Sequence, residues 1–308
     1  PENLQMKDVE KPAPKDNEVL IKIHATTVTS GDARMRRADP FVIRLIFGFK
    51  RPRKPILGVV VAGEIEAIGK KVSTHKTGDQ VFGSTGMNFG AHAEYVCVPE
   101  DAILALKPGN MSYEEAAAIP FGATASMHFL RLANIRKGQK VLINGASGAL
   151  GTMAVQLASN YGAEVTAVCS SSNAELVKSL GADHVIDYTR EDFSRNGLRY
   201  DVIFDTVDKI SVWKAIRSLN KKGQLLLASA GIGTMIGGSL ASIFMSKKIV
   251  SGVIKETTED MKFFRQEIEE GKLKAVIDRT YSLEDMAEAH SYVDLGHKKG
   301  NVVISVQF

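Results

Sequence analysis

From Lys140 onward the chain alternates between short apolar runs and longer stretches that mix apolar and polar positions. Val141, Leu142 and Ile143 form an unbroken apolar run, the texture of a strand buried on both faces. An amphipathic stretch with Leu150, Val155, Leu157 and Ala158 follows it. The alternation continues, predicting strands at 140–144, 164–169, 184–187, 201–206 and 223–229. Helices fall between them at 149–162, 173–180 and 211–219. Strand–helix alternation of this kind gives a parallel, doubly wound sheet. The earlier part of the chain is strand-rich, with runs at 19–28, 58–69, 79–82 and 93–98 broken by glycine and proline. That pattern predicts a small, mostly antiparallel β domain. A helix over 283–294 and a strand over 302–306 close the chain and return to the first domain. Ser112 with Glu115, and Ser282 with Asp285, read as capping boxes at two helix starts. The expected division is 1–123 with 268–308 for one domain, and 124–267 for the other.

Between the strand at 140–144 and its helix stand Gly145, Gly148 and Gly151, at three-residue spacing. Glycines so placed allow a tight turn, close backbone approach to a pyrophosphate, and close helix-on-strand packing. The free N–H groups and dipole of the following helix favour an anion there. About 20 residues further on, NAD sites usually carry an acid on the next strand's end. This chain has Ser170, Ser171, Ser172 and Asn173 instead, and Glu164 stands at the far end of that strand. Small hydrogen-bonding groups without an acid suit a 2′-phosphate, so NADPH is expected over NADH. A capping role for Ser172 or Asn173 on the next helix stands beside that reading.

At 308 residues, 44% hydrophobic and 24% charged, the chain has ordinary globular composition and room for two cores. A formal net charge of +4 does not by itself point to nucleic acid, and none is expected as a partner. No apolar run approaches the ~18 residues of a membrane span. Cys97 and Cys169 both lie in apolar runs and read as small core residues, neither a disulfide nor a metal pair. With no charged-then-apolar leader, a cytoplasmic protein is expected. Pro1 opens the sequence without a preceding apolar strand, which suggests a short first strand upstream.

Taken in order, many segments resemble zinc-independent medium-chain dehydrogenase/reductases of the quinone oxidoreductase and ζ-crystallin type. They include Asn17 to Ile23, Pro55 to Gly58, Ala62 to Gly69, Thr77 to Gly83 and Gly90 to Val96. Further matches are Glu115 to Pro120, Thr124 and Ala125, the glycine turn, Leu180 to Asp183, Asp201 to Asp205 and Glu288 to His290. The resemblance implies an α/β fold: a GroES-like β domain plus a doubly wound parallel Rossmann domain. It also implies hydride transfer. Zinc-dependent relatives carry a cysteine three residues before the position of Asp32, and Gly-His-Glu where Gly58 begins. Here those positions read Thr29 and Gly58, Val59, Val60; the third ligand falls near Pro120, and the four-cysteine lobe is missing. No metal is expected. Without a Lewis acid, a conjugated acceptor is favoured because the charge delocalises into a quinone oxygen or an enolate. The reading is an NADPH-dependent reductase of quinones or α,β-unsaturated carbonyls. Alcohol dehydrogenase-like activity, or NADPH binding without turnover, are its rivals.

By the same resemblance, Thr124, Gly148, Ala149 and Leu150 neighbour the pyrophosphate, together with Gly145 and Gly151 of the turn. Ser170, Asn173 and Tyr188 fall on the adenosine side, and Ser229, Ala230 and Gly231 near the nicotinamide. Thr29 and Asp32 face the cleft, and Asn301 stands where the family has lysine. Asp208 replaces a common glycine. For Tyr188 a packed ring, and for Asp32 a helix cap, are the structural alternatives. No proton donor emerges: His128 is a remote candidate for a general acid, and His24, His92 and His290 read as packed or surface residues.

The segment 34–54 carries Arg34, Arg36, Arg37, Arg44, Lys50, Arg51, Arg53 and Lys54 against a single acid, Asp39. Phe41, Ile43, Leu45, Ile46, Phe47 and Phe49 lie among them. It reads as a lid over an apolar acceptor, a patch in weak contact with an anionic membrane surface, or an ordinary basic turn. A second apolar stretch, 231–244, reads as pocket, subunit interface or helix core. A homodimer through the strand near 249–253 is a further expectation.

Overall fold

A computed structural model describes residues 1–39, 41–49, 51–228 and 247–308. In chain order the elements begin with β1 (Glu18–Val28), α1 (Ser30–Arg37), α2 (Val42–Phe47), β2 (Val60–Ile68) and β3 (Gln80–Ser84). β4 (Tyr95–Pro99), β5 (Ile103–Leu106), α3 (Tyr113–Ala117) and α4 (Pro120–Ala133) follow. Next come β6 (Lys140–Asn144), α5 (Ala149–Asn160), β7 (Glu164–Cys169), α6 (Ala174–Ser179) and β8 (His184–Asp187). β9 (Tyr200–Asp205), α7 (Val212–Arg217), β10 (Leu219–Leu227) and β11 (Lys248–Ser251) complete the alternating part. The chain ends in α8 (Thr258–Glu269), β12 (Ile277–Ser282), α9 (Met286–Asp294) and β13 (Asn301–Ser305).

Two compact units result: 1–121 with 257–271 and 275–308, and 122–256 with 272–274. The sequence reading draws its late boundary after residue 267, whereas the units divide after 256. The reason lies in α8, whose Phe264 and Ile268 are buried and whose Ile268 carbonyl accepts from Asn110 of the first unit at 3.1 Å.

In the first unit the strand order is β12-β13-β1-β2-β3-β5, with β4 also paired to β1. β1 is long because it serves three partners. Glu18–Lys22 pair with β4, Ala25–Val28 with β13, and β2 runs along the other edge. Register shifts at Leu20/Ile21 and Ile23/Ala25 bend it, as bulges do. Val19, Ile21, Ile23, Ile65, Val81 and Ile304 fill the interior. Thr29 and Ser112 both form complete capping boxes, with Asp32 and Glu115. Ser282 does not: α9 starts at Met286, and the Ser282 hydroxyl donates to the Asp285 carboxylate at 2.9 Å. There the pattern matched a turn before the helix.

The second unit is a six-stranded parallel sheet, ordered β11-β10-β9-β6-β7-β8. The middles of its central strands are apolar, as in sheets covered on both faces; Val141, Leu142, Ile143, Ile203, Phe204 and Leu225 are fully buried. The chain builds outward from β6 through β7 to β8, then crosses back to β9 and continues to β11. The order therefore reverses between β6 and β9, and ligands of such sheets bind at that switch point, beyond the strands' carboxyl ends. Cys169 is buried and Cys97 half-buried, and both are free thiols. No helix among the described residues is long and apolar enough to cross a membrane.

Candidate functional site

Gly145 ends β6 at the switch point with φ of +79°, where an added Cβ would meet the Val207 side chain at 2.4 Å. Gly151, one turn into α5, has no room either: a Cβ would stand 2.1 Å from the Gly145 carbonyl oxygen. Gly148 is different. It sits at the N-cap of α5 with no side-chain cap, and a Cβ there would meet only the Gly145 oxygen at 3.6 Å. The first-turn N–H groups of α5, on Ala149, Leu150 and Gly151, thus have no intrahelical acceptor, which is the arrangement that binds anions. Gly122 of α4 makes a similarly close approach, since a Cβ would lie 2.4 Å from the Ala149 oxygen. The Ser126 hydroxyl donates to the Leu150 carbonyl at 2.9 Å, and Thr124, two residues earlier on the same helix, is buried. Gly122 and Ser126 were not singled out in the sequence. Gly122, two residues before Thr124, was the available signal.

At the end of β7, the Ser170 and Ser172 hydroxyls lie 3.0 Å apart. Asn173 is 8% exposed; its Nδ2 donates to the Ser147 hydroxyl at 3.0 Å and its Oδ1 is buried without a partner. Asn173 occupies the N-cap of α6 but makes no side-chain bond to that helix. Capping therefore does not account for it. Tyr188, just past β8, is exposed. Glu164 begins β7 and turns to His184 at 3.2 Å and Lys140 at 3.9 Å, at the opposite end from Ser170. Asp187 pairs in register with Cys169. The Thr189 hydroxyl and N–H bind its carboxylate and hold its pKa below the usual value. Arg190 stands 3.6 Å from the same carboxylate. This cation was not legible in sequence, because it follows β8 and only the β7–β8 pairing brings it near Ser171, whose hydroxyl also reaches Asp187.

Asp205 fixes the far wall of the turn. It accepts from Asn144 Nδ2 at 2.9 Å and from the Val207 and Ile210 N–H groups at 3.3 and 3.4 Å. Burial pushes its pKa above the ordinary carboxylate value, against the pull of those bonds. The Thr206 hydroxyl donates to the Asn144 and Gly145 carbonyls at 2.8 and 3.2 Å. Asp208 takes φ of +55°, so it adopts the left-handed conformation that the usual glycine would supply. His128, on α4, accepts from the Lys255 N–H at 3.4 Å. Ser229, Ala230 and Gly231, and the apolar stretch 231–244, lie outside the described residues.

In the first unit, Thr29 and Asp32 are buried together. Asp32 Oδ2 accepts from the Thr29 hydroxyl at 2.6 Å and its N–H at 2.8 Å, and Oδ1 is buried without a partner. The cap role of Asp32 is thus real. Asn301 is buried, and its Nδ2 donates to the Ala118 and Val276 carbonyls at 2.9 and 3.2 Å. Its donors tie β13 to neighbouring backbone. His290 is fully buried with both ring nitrogens unpartnered, and burial, then the nearby His92, holds its pKa down to about 3. Thr29 offers a hydroxyl already bound to Asp32, and Gly58 and Pro120 offer no side-chain ligand atom. Among the described residues, no three His, Cys, Asp or Glu side chains are placed to hold a metal ion.

Residues 15–108 match the family pattern described as an alcohol dehydrogenase GroES-like domain, and residues 180–304 one described as a zinc-binding dehydrogenase. A 2-methylene-furan-3-one reductase from Solanum lycopersicum is 32% identical, over 96% of this chain and 74% of its own length. The chain belongs to the medium-chain dehydrogenase/reductase family. Another member, an NADPH-dependent alkenal/one oxidoreductase of Arabidopsis thaliana, is 31% identical over 95% of this chain and 73% of its own length. Among solved medium-chain dehydrogenase/reductases, the quinone oxidoreductase from Coxiella burnetii superposes with a TM-score of 0.90 at 27% identity. That superposition covers 99% of this chain and 96% of the other. The GroES-like unit and the Rossmann-type parallel sheet expected from the sequence are those of the family.

Proposed function

We propose that this chain is an NADPH-dependent oxidoreductase that delivers hydride to a quinone or an α,β-unsaturated carbonyl without a catalytic metal. The observation that carries the reading is the uncapped α5 terminus behind Gly148 at the β6–β9 switch point, next to a β7 end that carries serines and asparagine and no acid of its own. The names of the tomato and Arabidopsis relatives support the acceptor class. Bound at this turn, the cofactor supplies a transferable hydride. The chain's own part is positioning. The Ala149, Leu150 and Gly151 N–H groups hold the pyrophosphate, and Gly145 and Gly151 keep the backbone close enough to do so. Ser170, Asn173 and Tyr188 take the adenosine side, where Arg190 adds a cation for a 2′-phosphate. Thr29, Gly58 and Pro120 are poor zinc ligands by chemistry, so the acceptor must delocalise its own developing charge. Solvent supplies the proton.

Two partner readings accompany this one. Among the described residues β11 is the edge strand of its sheet, and that edge, continued by the exposed Val253, suits edge-to-edge pairing with a second copy. Phe41, Leu45 and Phe49 are all exposed among the cations of 34–54, which suits weak contact with an anionic membrane surface. The deciding experiment follows NADPH consumption with quinones, enones, enals and saturated aldehydes, and NADP⁺ reduction with simple alcohols, each with and without a chelator. Turnover confined to quinones and conjugated carbonyls, unchanged by the chelator, supports the proposal. Chelator-sensitive oxidation of simple alcohols would overturn it.

A further inference from the structure

The first unit contains a cavity of about 410 Å³, walled largely by the basic segment 34–54. Its apolar wall comes from Leu4, Met35, Phe47, Phe49, Leu57 and Phe89. Phe47 and Phe89 meet edge to face at 5.5 Å. Its polar wall is Asn3 with four cations, Arg36, Arg44, Arg51 and Lys54, and no carboxylate stands among the described lining residues.

The wall is built by specific backbone contacts. Gly48 takes φ of +127°, and a Cβ there would stand 2.0 Å from the Arg51 carbonyl oxygen. The Arg53 N–H closes the turn on the Phe47 carbonyl at 2.8 Å. Lys54 is held by the Met87 carbonyl at 3.1 Å and Asn88 Oδ1 at 2.9 Å. Arg36 supplies the second, independent observation. Its side chain is only 10% exposed; Nη2 pairs with Asp294, but Nη1 is buried with no acceptor. A buried guanidinium donor left without an acceptor is costly, so the pair with Asp294 leaves Arg36 only partly satisfied beside this wall. Pockets that bind small ligands are of this size and are mostly apolar with a few convergent polar groups.

We infer that this cavity binds an amphiphile with one anionic head, carboxylate or phosphate, and an apolar chain. The head meets Arg44 and Arg51 beside Arg36, and the chain lies along Met35, Phe47, Leu57 and Phe89. The inference does not depend on the reductase reading, because its readout is binding in the absence of cofactor and acceptor.

Isothermal titration of the full chain with decanoate, decyl phosphate and the neutral decanamide, all below their micelle thresholds, tests it. Expected is one saturable site for decanoate, with decanamide at least tenfold weaker. Decyl phosphate binding more tightly than decanoate would identify phosphate as the preferred head, and the reverse would identify carboxylate. Arg44→Gln and Arg51→Gln, both exposed side chains, should each weaken decanoate at least fivefold and leave decanamide unchanged. Equal affinity for decanoate and decanamide would overturn the inference. So would charge variants that bind decanoate like the parent, or no saturable binding of any probe.

Discussion

Gly148 and Gly151 lie three residues apart in one turn, yet substitution by alanine should have opposite consequences. At Gly151 the new Cβ would fall 2.1 Å from the Gly145 oxygen and 2.6 Å from Ala146 Cα, both backbone atoms. Neither can move without opening the turn, so overpacking should cost about 1–3 kcal/mol of stability. At Gly148 the backbone is in the ordinary extended region, with φ of −81°, and the Cβ would meet only one atom, at 3.6 Å. Stability should hold to within about 0.5 kcal/mol, as for substitutions that touch nothing. The methyl would nevertheless occupy open space beside the uncapped α5 terminus. A pyrophosphate displaced there loses about one charge-assisted hydrogen bond, roughly 1.5–3 kcal/mol. That is roughly a ten- to hundredfold weaker dissociation constant for NADPH. Thermal unfolding and NADPH titration of both variants separate the two effects. A Gly148→Ala protein that folds and binds NADPH as tightly as the parent would refute the placement of the cofactor at this turn.

Ser170→Asp should restore the acid that a ribose-reading site carries and repel a 2′-phosphate. NADPH affinity should fall at least tenfold relative to NADH, measured by paired titrations. Arg190→Ala should weaken NADPH and leave NADH nearly unchanged; equal losses would remove Arg190 from the phosphate site. Asn301→Ala deprives the Ala118 carbonyl of its donor and should destabilise by about 1–3 kcal/mol in denaturant unfolding, with NADPH affinity retained. His290 gives a pH signature. Its folded pKa of about 3 lies below the ordinary value of 6.5, so the unfolded chain binds the proton more readily. Its contribution is complete above pH ~6.5 and is lost as pH falls toward ~3, at about 1.4 kcal/mol per unit. His290→Gln should flatten the stability profile between pH ~6.5 and ~5; an unchanged slope would show that another group carries it.

The first half of the parallel sheet was legible to the residue, while β10 begins four residues before the expected strand at 223–229. β6, β7 and β8 have the expected bounds; β6 and β7 are buried on both faces and leave a nearly unbroken apolar signal. β5 and β12 went unassigned: β5 is only four residues long, and in β12 no residue is fully buried, so no alternation marks it. The glycine turn was legible through spacing, and the structure explains why Gly145 and Gly151 cannot be larger. Arg190 and Gly122 were not, because their importance arises from strand pairing and helix packing that no local pattern encodes. Asp208 was flagged as a departure from glycine, yet the backbone keeps the conformation glycine would provide. The cationic cavity was legible only as a list of charges; the orphaned Arg36 donor needed coordinates.

The central claim is direct hydride delivery to a conjugated acceptor, and isotope transfer tests it most directly. Metal-stripped protein would be given NADPH deuterated at the transferable position together with an enone, and the product examined by mass spectrometry and NMR. The account predicts one deuterium at the β-carbon of the saturated ketone. Saturated ketone carrying no deuterium, or label only on the carbinol carbon of an allylic alcohol, would contradict it.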